Sequence, residues 1–287
     1  MILIADGGST KADWIMLDKS GGQVLKTRTN GLNPAVFEAD LLRHRIKENL
    51  DLMNYKDRVT ELYFYGAGCG TDGPTLLLKS IFEFIFKNAK VVVKEDTYAA
   101  AYAVTTKPGL ICILGTGSNS CYFDGENVDV RTPSLGYVLM DEASGNKIGK
   151  HLIRDYFYHK MPKDVAAKFE NQFNLDADII KRNIYKEDNP NTYLAHFAEF
   201  VFKNERNLYF NKLLYKVIKE FFEKRILFYQ YESRKVPVHF VGSIAFFAKD
   251  VIENLAEYYM IELGNIIRRP IDGLIEYHRK KLKLEKI

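Results

Sequence analysis

The chain has 287 residues, 47% hydrophobic and 27% charged, with 41 Lys and Arg against 37 Asp and Glu for a formal net charge of +4. That length fits two modest domains or one large one, and the composition is that of an ordinary globular chain with a sizeable core, for which disorder is not the default. The basic residues are spread along the chain rather than gathered into a nucleic-acid-binding face, and no run of about 18 apolar residues exists to span a membrane, so neither partner is expected.

Ile2 to Asp6 is an apolar run that meets a carboxylate too early for a signal peptide. Gly7-Gly8-Ser9-Thr10 is a turn, Ala12 to Leu17 a second run, Gly21-Gly22 a second turn, and Val24 to Thr29 a third strand. Three strands joined by glycine turns make an antiparallel meander. A helix is predicted over 35–53, with Leu41, Leu42, Ile46, Leu50 and Met53 on one stripe. A strand at 62–65, a helix over 74–87, a buried strand at 91–93 and an Ala-rich helix over 97–104 follow, the last capped by Asp96 or Thr97.

Then the opening repeats. Leu110 to Leu114 is apolar, Gly115-Thr116-Gly117-Ser118 is a turn, and Cys121-Tyr122-Phe123 resumes before Asp124-Gly125-Glu126-Asn127 and a strand over 128–131. A repeated strand–turn–strand unit predicts two lobes of like design, with the cleft as the expected ligand site. Five helices are predicted between 147 and 231, then a strand at 238–241, Gly242-Ser243, a helix over 245–256 and a last helix over 274–284. The run His278-Arg279-Lys280-Lys281 reads as the solvated side of that helix.

The chemistry-bearing residues cluster at strand ends. Gly7 and Gly8 let backbone N–H groups approach phosphate oxygens, Ser9 and Thr10 add hydroxyls, and Lys11 completes the turn. Gly115, Thr116, Gly117 and Ser118 offer the same chemistry again. Asp6 suits Mg²⁺ held through water, because that ion dehydrates reluctantly. Neither turn is a Walker A sequence, and no G-x-G-x-x-G precedes a helix. Asp96 ends a strand and opens a helix, where it can serve as a base in phosphoryl transfer or as an N-cap; Glu95 is the weaker candidate. Asp141 and Glu142 precede a helix, as sugar or Mg²⁺-water ligands or as an acidic first turn. Asn30 and Gly31 close the first meander, where the Asn30 amide could bind sugar hydroxyls or an acetamido group. Gly242 and Ser243 could let adenine lie against backbone. His239, Trp14 and the other aromatics read as core.

Together these residues resemble the N-acetylglucosamine kinase group of the actin-like ATPase superfamily, which also holds the ATPase activators of acyl-CoA reductases and dehydratases. The pattern D-G-G-G/S-T-K is matched at Asp6 to Lys11 and G-T-G-S-N at Gly115 to Asn119, while Thr29 to Leu32 looks like T-N-x-x, Glu95 to Ala100 like the T-D-A-A-type segment, and Met140 to Ser144 resembles G-D-E-G-S. The resemblance implies an α/β fold of two ribonuclease H-like lobes, 1–107 and 108–270, with a helical insertion in the second and the helix 271–287 packing back on the first. It implies ATP and Mg²⁺ as cofactors and transfer of the γ-phosphate to the 6-hydroxyl of an amino sugar. Asp96 would then be the base, Asp6 the Mg²⁺ carboxylate, and Thr10 and Thr116 phosphate-turn residues. The family's G-G-W-G-H stretch, part of the sugar pocket, reads Pro133-Ser134-Leu135-Gly136-Tyr137 here, with Ser134 and Gly136 as the candidate sugar contacts.

Two rivals remain from the sequence. An activator-type ATPase would need paired cysteines for an iron–sulfur cluster, whereas Cys69, Cys112 and Cys121 form no C-x-x-C pair and are expected to be reduced thiols of a cytoplasmic protein. A non-catalytic sugar sensor would have no need of Asp96 with both phosphate turns, and no helix-turn-helix segment precedes Met1. A homodimer is one assembly the sequence leaves open.

Overall fold

The computed structural model describes residues 1–8 and 10–284, so Ser9 and the residues after Leu284 lie outside the described residues. The chain forms two compact units, Met1–Val104 with Arg269–Ile287, and Thr105–Arg268.

In the first unit the chain folds back twice, between Gly7 and Lys11 and at residues 20–22. This sets β1 (Ile2–Gly7), β2 (Lys11–Leu17) and β3 (Gln23–Asn30) antiparallel. Helices α1 (Ala39–Lys47) and α2 (Leu50–Tyr55) follow, then β4 (Glu61–Gly66), α3 (Asp72–Ile85), β5 (Lys90–Glu95) and α4 (Asp96–Val104). The sheet order is β3-β2-β1-β4-β5, with β4 and β5 parallel to β1. One face buries Leu3, Ala5, Trp14, Phe64 and Phe82; the other buries Ile2, Ile4, Ile15, Leu17 and Tyr65. Trp14 is core, as predicted, and its indole N–H donates to Thr29 Oγ1 at 3.0 Å.

The one helix predicted over 35–53 is in fact two. Asn49 breaks it: its side-chain oxygen accepts from the Leu52 N–H as an N-cap, while its amide nitrogen donates to Thr27 Oγ1 and the Arg28 carbonyl on β3.

The second unit repeats the plan. β6 (Gly109–Leu114), β7 (Ser118–Phe123) and the short β8 (Val128–Asp129) form the meander. Six helices are inserted next: α5 (Gly145–Phe157), α6 (Lys163–Gln172), α7 (Ala177–Tyr185), α8 (Pro190–Phe197), α9 (Glu199–Lys203) and α10 (Leu208–Phe221). Then come β9 (Val238–Val241), α11 (Ser243–Phe247), α12 (Lys249–Tyr258) and β10 (Leu263–Ile267). The order β10-β9-β6-β7-β8 mirrors the first sheet, with β9 and β10 parallel to β6. The helix predicted to run through residue 231 stops at Phe221, because Phe222–Ile226 widens into a π turn.

Strand β10 has no sequence signal. Its register shifts between Leu263 and Ile266, where the His239 ring fits: a Cβ at Gly264 would lie 2.5 Å from it, and the Asn265 N–H donates to His239 Nδ1 at 2.9 Å.

The last helix, α13 (Pro270–Leu284), packs on α4 so closely that a Cβ at Gly273 would lie 2.4 Å from the Ala103 carbonyl oxygen. Tyr277 stacks on Tyr102 at 4.2 Å. The expectation that 278–281 is a solvated face is corrected at its first residue. His278 is 2% exposed, its Nε2 lies 3.1 Å from Tyr65 Oη, and its ring meets Tyr63 at 4.4 Å. Tyr63, whose hydroxyl donates to Glu61 Oε2 at 2.6 Å, and Tyr65 present their rings on this face of the sheet, and the helix turns its imidazole inward onto them.

Burial, with the Lys281 charge adding, depresses the His278 pKa from 6.5 to about 3. A depressed histidine stabilises the fold fully above its unfolded pKa, and that contribution is lost as pH falls through 6.5 toward 3. From pH 7 to pH 5 the loss is about 2 kcal/mol for this one group. Urea unfolding at both pH values should show the His278→Gln chain losing less stability than wild type by about that amount. Equal losses would show that His278 carries no such linkage.

Candidate functional site

The first glycine turn is stitched by backbone. Gly8 N–H donates to the Lys11 carbonyl at 2.8 Å, Gly31 N–H to Thr10 O at 3.0 Å and Leu32 N–H to Gly8 O at 3.1 Å. The structure thus brings Gly7, Gly8, Thr10 and Lys11 together with Asn30 and Gly31, whereas Ser9 lies outside the described residues. Asn30 is exposed and pairs with Lys11 across β2 and β3. Beside it runs a groove of about 370 Å³ lined by Lys11, Arg28, Thr29, Asn30, Arg45, Glu48 and Asn49. The cations Arg28 and Arg45 in this groove carry no local sequence signal, because α1 and β3 meet only in the fold.

Two carboxylates stand at the ends of β1 and β5. Because β1, β4 and β5 are parallel, Gly7, Gly66 and Glu95 share one row, and Asp13, Asp6, Tyr65 and Lys94 the row before it. Asp6 is half-buried and its pKa is pushed up to about 7, first by desolvation and then by Asp13, against a smaller pull from Lys11. Asp96, the first residue of α4, is also pushed up to about 7, by desolvation, then Glu95 and Asp6, with the amides of Thr97 and Asp96 opposing. Glu95 accepts from Thr97 Oγ1 at 3.1 Å. Asp13 was missed in the sequence, although antiparallel pairing of β1 with β2 places it opposite Asp6.

These carboxylates suit a divalent cation. Asp6 is partly desolvated and crowded by Asp13, whose own charge Arg28 Nε meets at 2.6 Å and Lys11 Nζ at 3.9 Å, so a cation would act on the Asp6 carboxylate itself. Among the described residues no three His, Cys, Asp or Glu side chains converge as a metal cage.

In the second unit the turn Gly115–Ser118 is clamped by the segment that leads into α5. Gly115 N–H donates to Gly117 O at 2.9 Å within the turn. Gly145 N–H donates to Gly115 O at 2.8 Å and Asn146 N–H to Thr116 O at 3.1 Å. Asp141 accepts from Ser118 N–H at 3.2 Å and, on its other oxygen, from Asn146 Nδ2 at 2.8 Å. Asp141 and Glu142 are not in the first turn of the helix: α5 begins at Gly145 with Ser144 as its N-cap. Asp141 turns both oxygens to the glycine turn and α5, and Glu142 faces Arg225 and Lys224 at 3.8 and 3.9 Å. Gly242 also reaches this place, its φ of 122° setting a would-be Cβ 2.2 Å from the Leu114 carbonyl oxygen and 3.2 Å from Gly115 N. Ser243 is exposed beside it. Ser134 and Gly136 lie on the loop between β8 and α5, with Leu135, Val138 and Leu139 exposed around them. Arg225 and Asn146 gave no signal in the sequence, because their partners are remote or lie across a loop.

No family model matches the chain. A crystal structure of a candidate N-acetylglucosamine kinase from Porphyromonas gingivalis is 30% identical to it, with a TM-score of 0.91 over 98% of this chain and 99% of that one. A candidate N-acetylglucosamine kinase from Chromobacterium violaceum, 13% identical with a TM-score of 0.75 over 96% and 98%, shares the fold. The N-acetyl-D-glucosamine kinase of Dictyostelium discoideum is 25% identical over 164 residues, 52% of this chain and 51% of that protein. The chain therefore spans about half the length of that curated relative. No helix among the described residues is long and apolar enough to cross a membrane.

The Gly242 contact yields a direct test. Alanine there must leave a positive φ and push against the Leu114 carbonyl, which should cost about 2 kcal/mol. Gly242→Ala should unfold at lower denaturant and expose the Gly115 amide to faster hydrogen exchange. A wild-type midpoint would mean that the β9 end shifts at no cost.

Proposed function

The chain belongs to the same family as the N-acetylglucosamine kinases, and on that premise we propose that it transfers the γ-phosphate of ATP to the 6-hydroxyl of an amino sugar, N-acetylglucosamine or a related hexosamine. The observation that carries this reading is Asp96: a half-buried carboxylate at a strand end, with a pKa raised to about 7, one strand away from the Asp6 carboxylate and its glycine turn. A general base works best when its pKa lies near the operating pH.

Asp96 accepts the proton of the sugar hydroxyl while that oxygen bonds to the γ-phosphorus and the bond to the departing ADP oxygen breaks. The amides of Gly7–Lys11 and Gly115–Ser118 bind phosphate oxygens, and Thr10 and Thr116 add their hydroxyls. Asp6 would hold Mg²⁺ through water, supplying charge neutralisation on the phosphates. Asn30, Gly31, Ser134 and Gly136 orient the sugar. Gly242 and Ser243 lie beside the second turn and suit the adenosine. Asp141, with both oxygens engaged, orients the second turn rather than the sugar. The protein acts in the cytoplasm, in keeping with three buried free thiols. Their burial also leaves no cysteine at the surface to share an iron–sulfur cluster with another chain, which speaks against the activator-type ATPase.

The test is ADP release from Mg-ATP with N-acetylglucosamine, glucosamine, N-acetylmannosamine, glucose and an anionic hexosamine, followed by mass detection of the sugar phosphate. At least one amino sugar should gain a phosphate, and Asp96→Asn should lower that rate by about 10²–10⁴-fold while a non-hydrolysable ATP analogue still binds. Failure of every amino sugar, or near-wild-type turnover in the variant, would remove the kinase reading or Asp96 from it.

A further inference from the structure

Two residues of the segment before α5 hold a conformation that side chains rarely adopt: Asp141 at φ 66° and Ala143 at φ 57°. Non-glycine residues in the left-handed region persist only where their surroundings over-determine them. For Asp141 the restraints are visible. Its carboxylate accepts from Ser118 N–H and Asn146 Nδ2, and its carbonyl accepts from Ser144 Oγ at 2.6 Å. Ala143 has only a methyl group with which to hold itself.

Glu142 stands between the two, 6% exposed, and it faces Arg225, 3% exposed, across 3.8 Å. The arginine comes from the π turn Phe222–Ile226, which also directs Lys224 Nζ to within 3.9 Å of the other Glu142 oxygen. π turns of this kind are frequent at functional sites. Neither Glu142 Oε2 nor Arg225 Nε and Nη2 makes a hydrogen bond, and the remaining guanidinium nitrogen reaches only the Thr132 carbonyl, at 3.5 Å. A buried ion pair with such poor hydrogen bonding recovers little of its desolvation cost, so stability alone does not explain it. What the pair does secure is place: a charge between two strained residues is tied to a rigid helix end on the far side of the loop.

We infer that Arg225 is a positioning residue for the glycine turn Gly115–Ser118, acting through Glu142 to hold the strained segment 141–143 against it. The chain of contacts is short. Arg225 fixes Glu142, Glu142 fixes the backbone of Asp141 and Ala143, and Asp141 fixes the Ser118 amide. The consequence for nucleotide binding rests on the reading of this turn as a phosphate site; the consequence for the turn itself does not.

The experiment uses the full chain and three variants: Arg225→Met, which keeps the volume, Arg225→Lys, which keeps the charge, and the double variant Arg225→Met with Glu142→Gln, which removes both charges. Hydrogen exchange is read without nucleotide, together with the unfolding midpoint, and affinity for a non-hydrolysable ATP analogue is measured by calorimetry. Arg225→Met should speed exchange over 115–118 and 141–146 by tenfold or more and weaken the analogue about tenfold, while Arg225→Lys stays within about threefold of wild type on both. The double variant should regain the unfolding midpoint, since no unpaired charge remains buried, yet keep the fast exchange. If Arg225→Met does not fold, the double variant carries the test. A double variant with wild-type exchange over 115–118 overturns the inference and leaves the pair a matter of charge balance. If wild type itself fails to bind the analogue, the nucleotide reading falls, and the exchange result still decides the role of Arg225.

Discussion

The ring of Phe64 lies against Gly7 and Gly66, 2.3 Å from where a Cβ would stand at either position. Only glycine at both lets the ends of β1 and β4 lie side by side over that ring. The level ends matter because β5 follows in the same parallel register, so that Asp6 and Asp96 emerge along one edge with no side chain of residue 7 or 66 toward the ring. The second unit obeys the same constraint at the equivalent place. There Gly242, at the end of β9, approaches the Leu114 carbonyl and the Gly115 amide at the end of β6. In each sheet a parallel strand must end against the first strand without a side chain, and in each the turn that follows the first strand is thereby held in place.

The carboxylates depend on that geometry for their chemistry. An aspartate at a frayed strand end would be solvated and ordinary. At the packed ends of β1 and β5, Asp6 and Asp96 lose much of their water, and each feels a second carboxylate, Asp13 or Glu95. Desolvation and like charge push in the same direction. The edge gathers carboxylates, of which Asp13 is met by Arg28 at 2.6 Å and Lys11 at 3.9 Å, while Glu95 and Asp6 act on Asp96. Because the Asp6 charge reaches Asp96, the two carboxylates share one electrostatic environment.

The meanders were legible because their signals are local: glycine turns separate short apolar runs, and the pattern occurs twice. The long-range features were not. Strand β10 contains Gly264 and Asn265 and a register shift that admits the His239 ring, so neither alternation nor apolar content marks it. The break at Asn49 answers to a partner on β3, and His278 sits in a basic run whose inward face is fixed only by Tyr63 and Tyr65. For the site, the glycine turns and Asp96 stood out as motifs. Asp141 and Glu142 stood out as well, but their surroundings did not, because Asn146 lies across a strained loop and Arg225 is remote in the chain.

The two glycine turns have the same topology but different bracing. In the first unit residues 31 and 32 hold the turn with backbone amides, contacts that almost any side chain permits. In the second unit the turn is held by the start of α5 and by the carboxylate of Asp141, whose backbone is itself strained. The first brace tolerates sequence change, whereas the second needs particular side chains. This difference gives the helical insertion a reason beyond bulk. Placing the start of α5 at the turn brings a helix N-terminus there, which favours negative charge. That start must be reached from β8 through a loop short of regular structure, and α10 with its π turn supplies the charged residues that face Glu142 from the far side. The inserted helices are thus the scaffold of the second turn, as the meander itself is of the first.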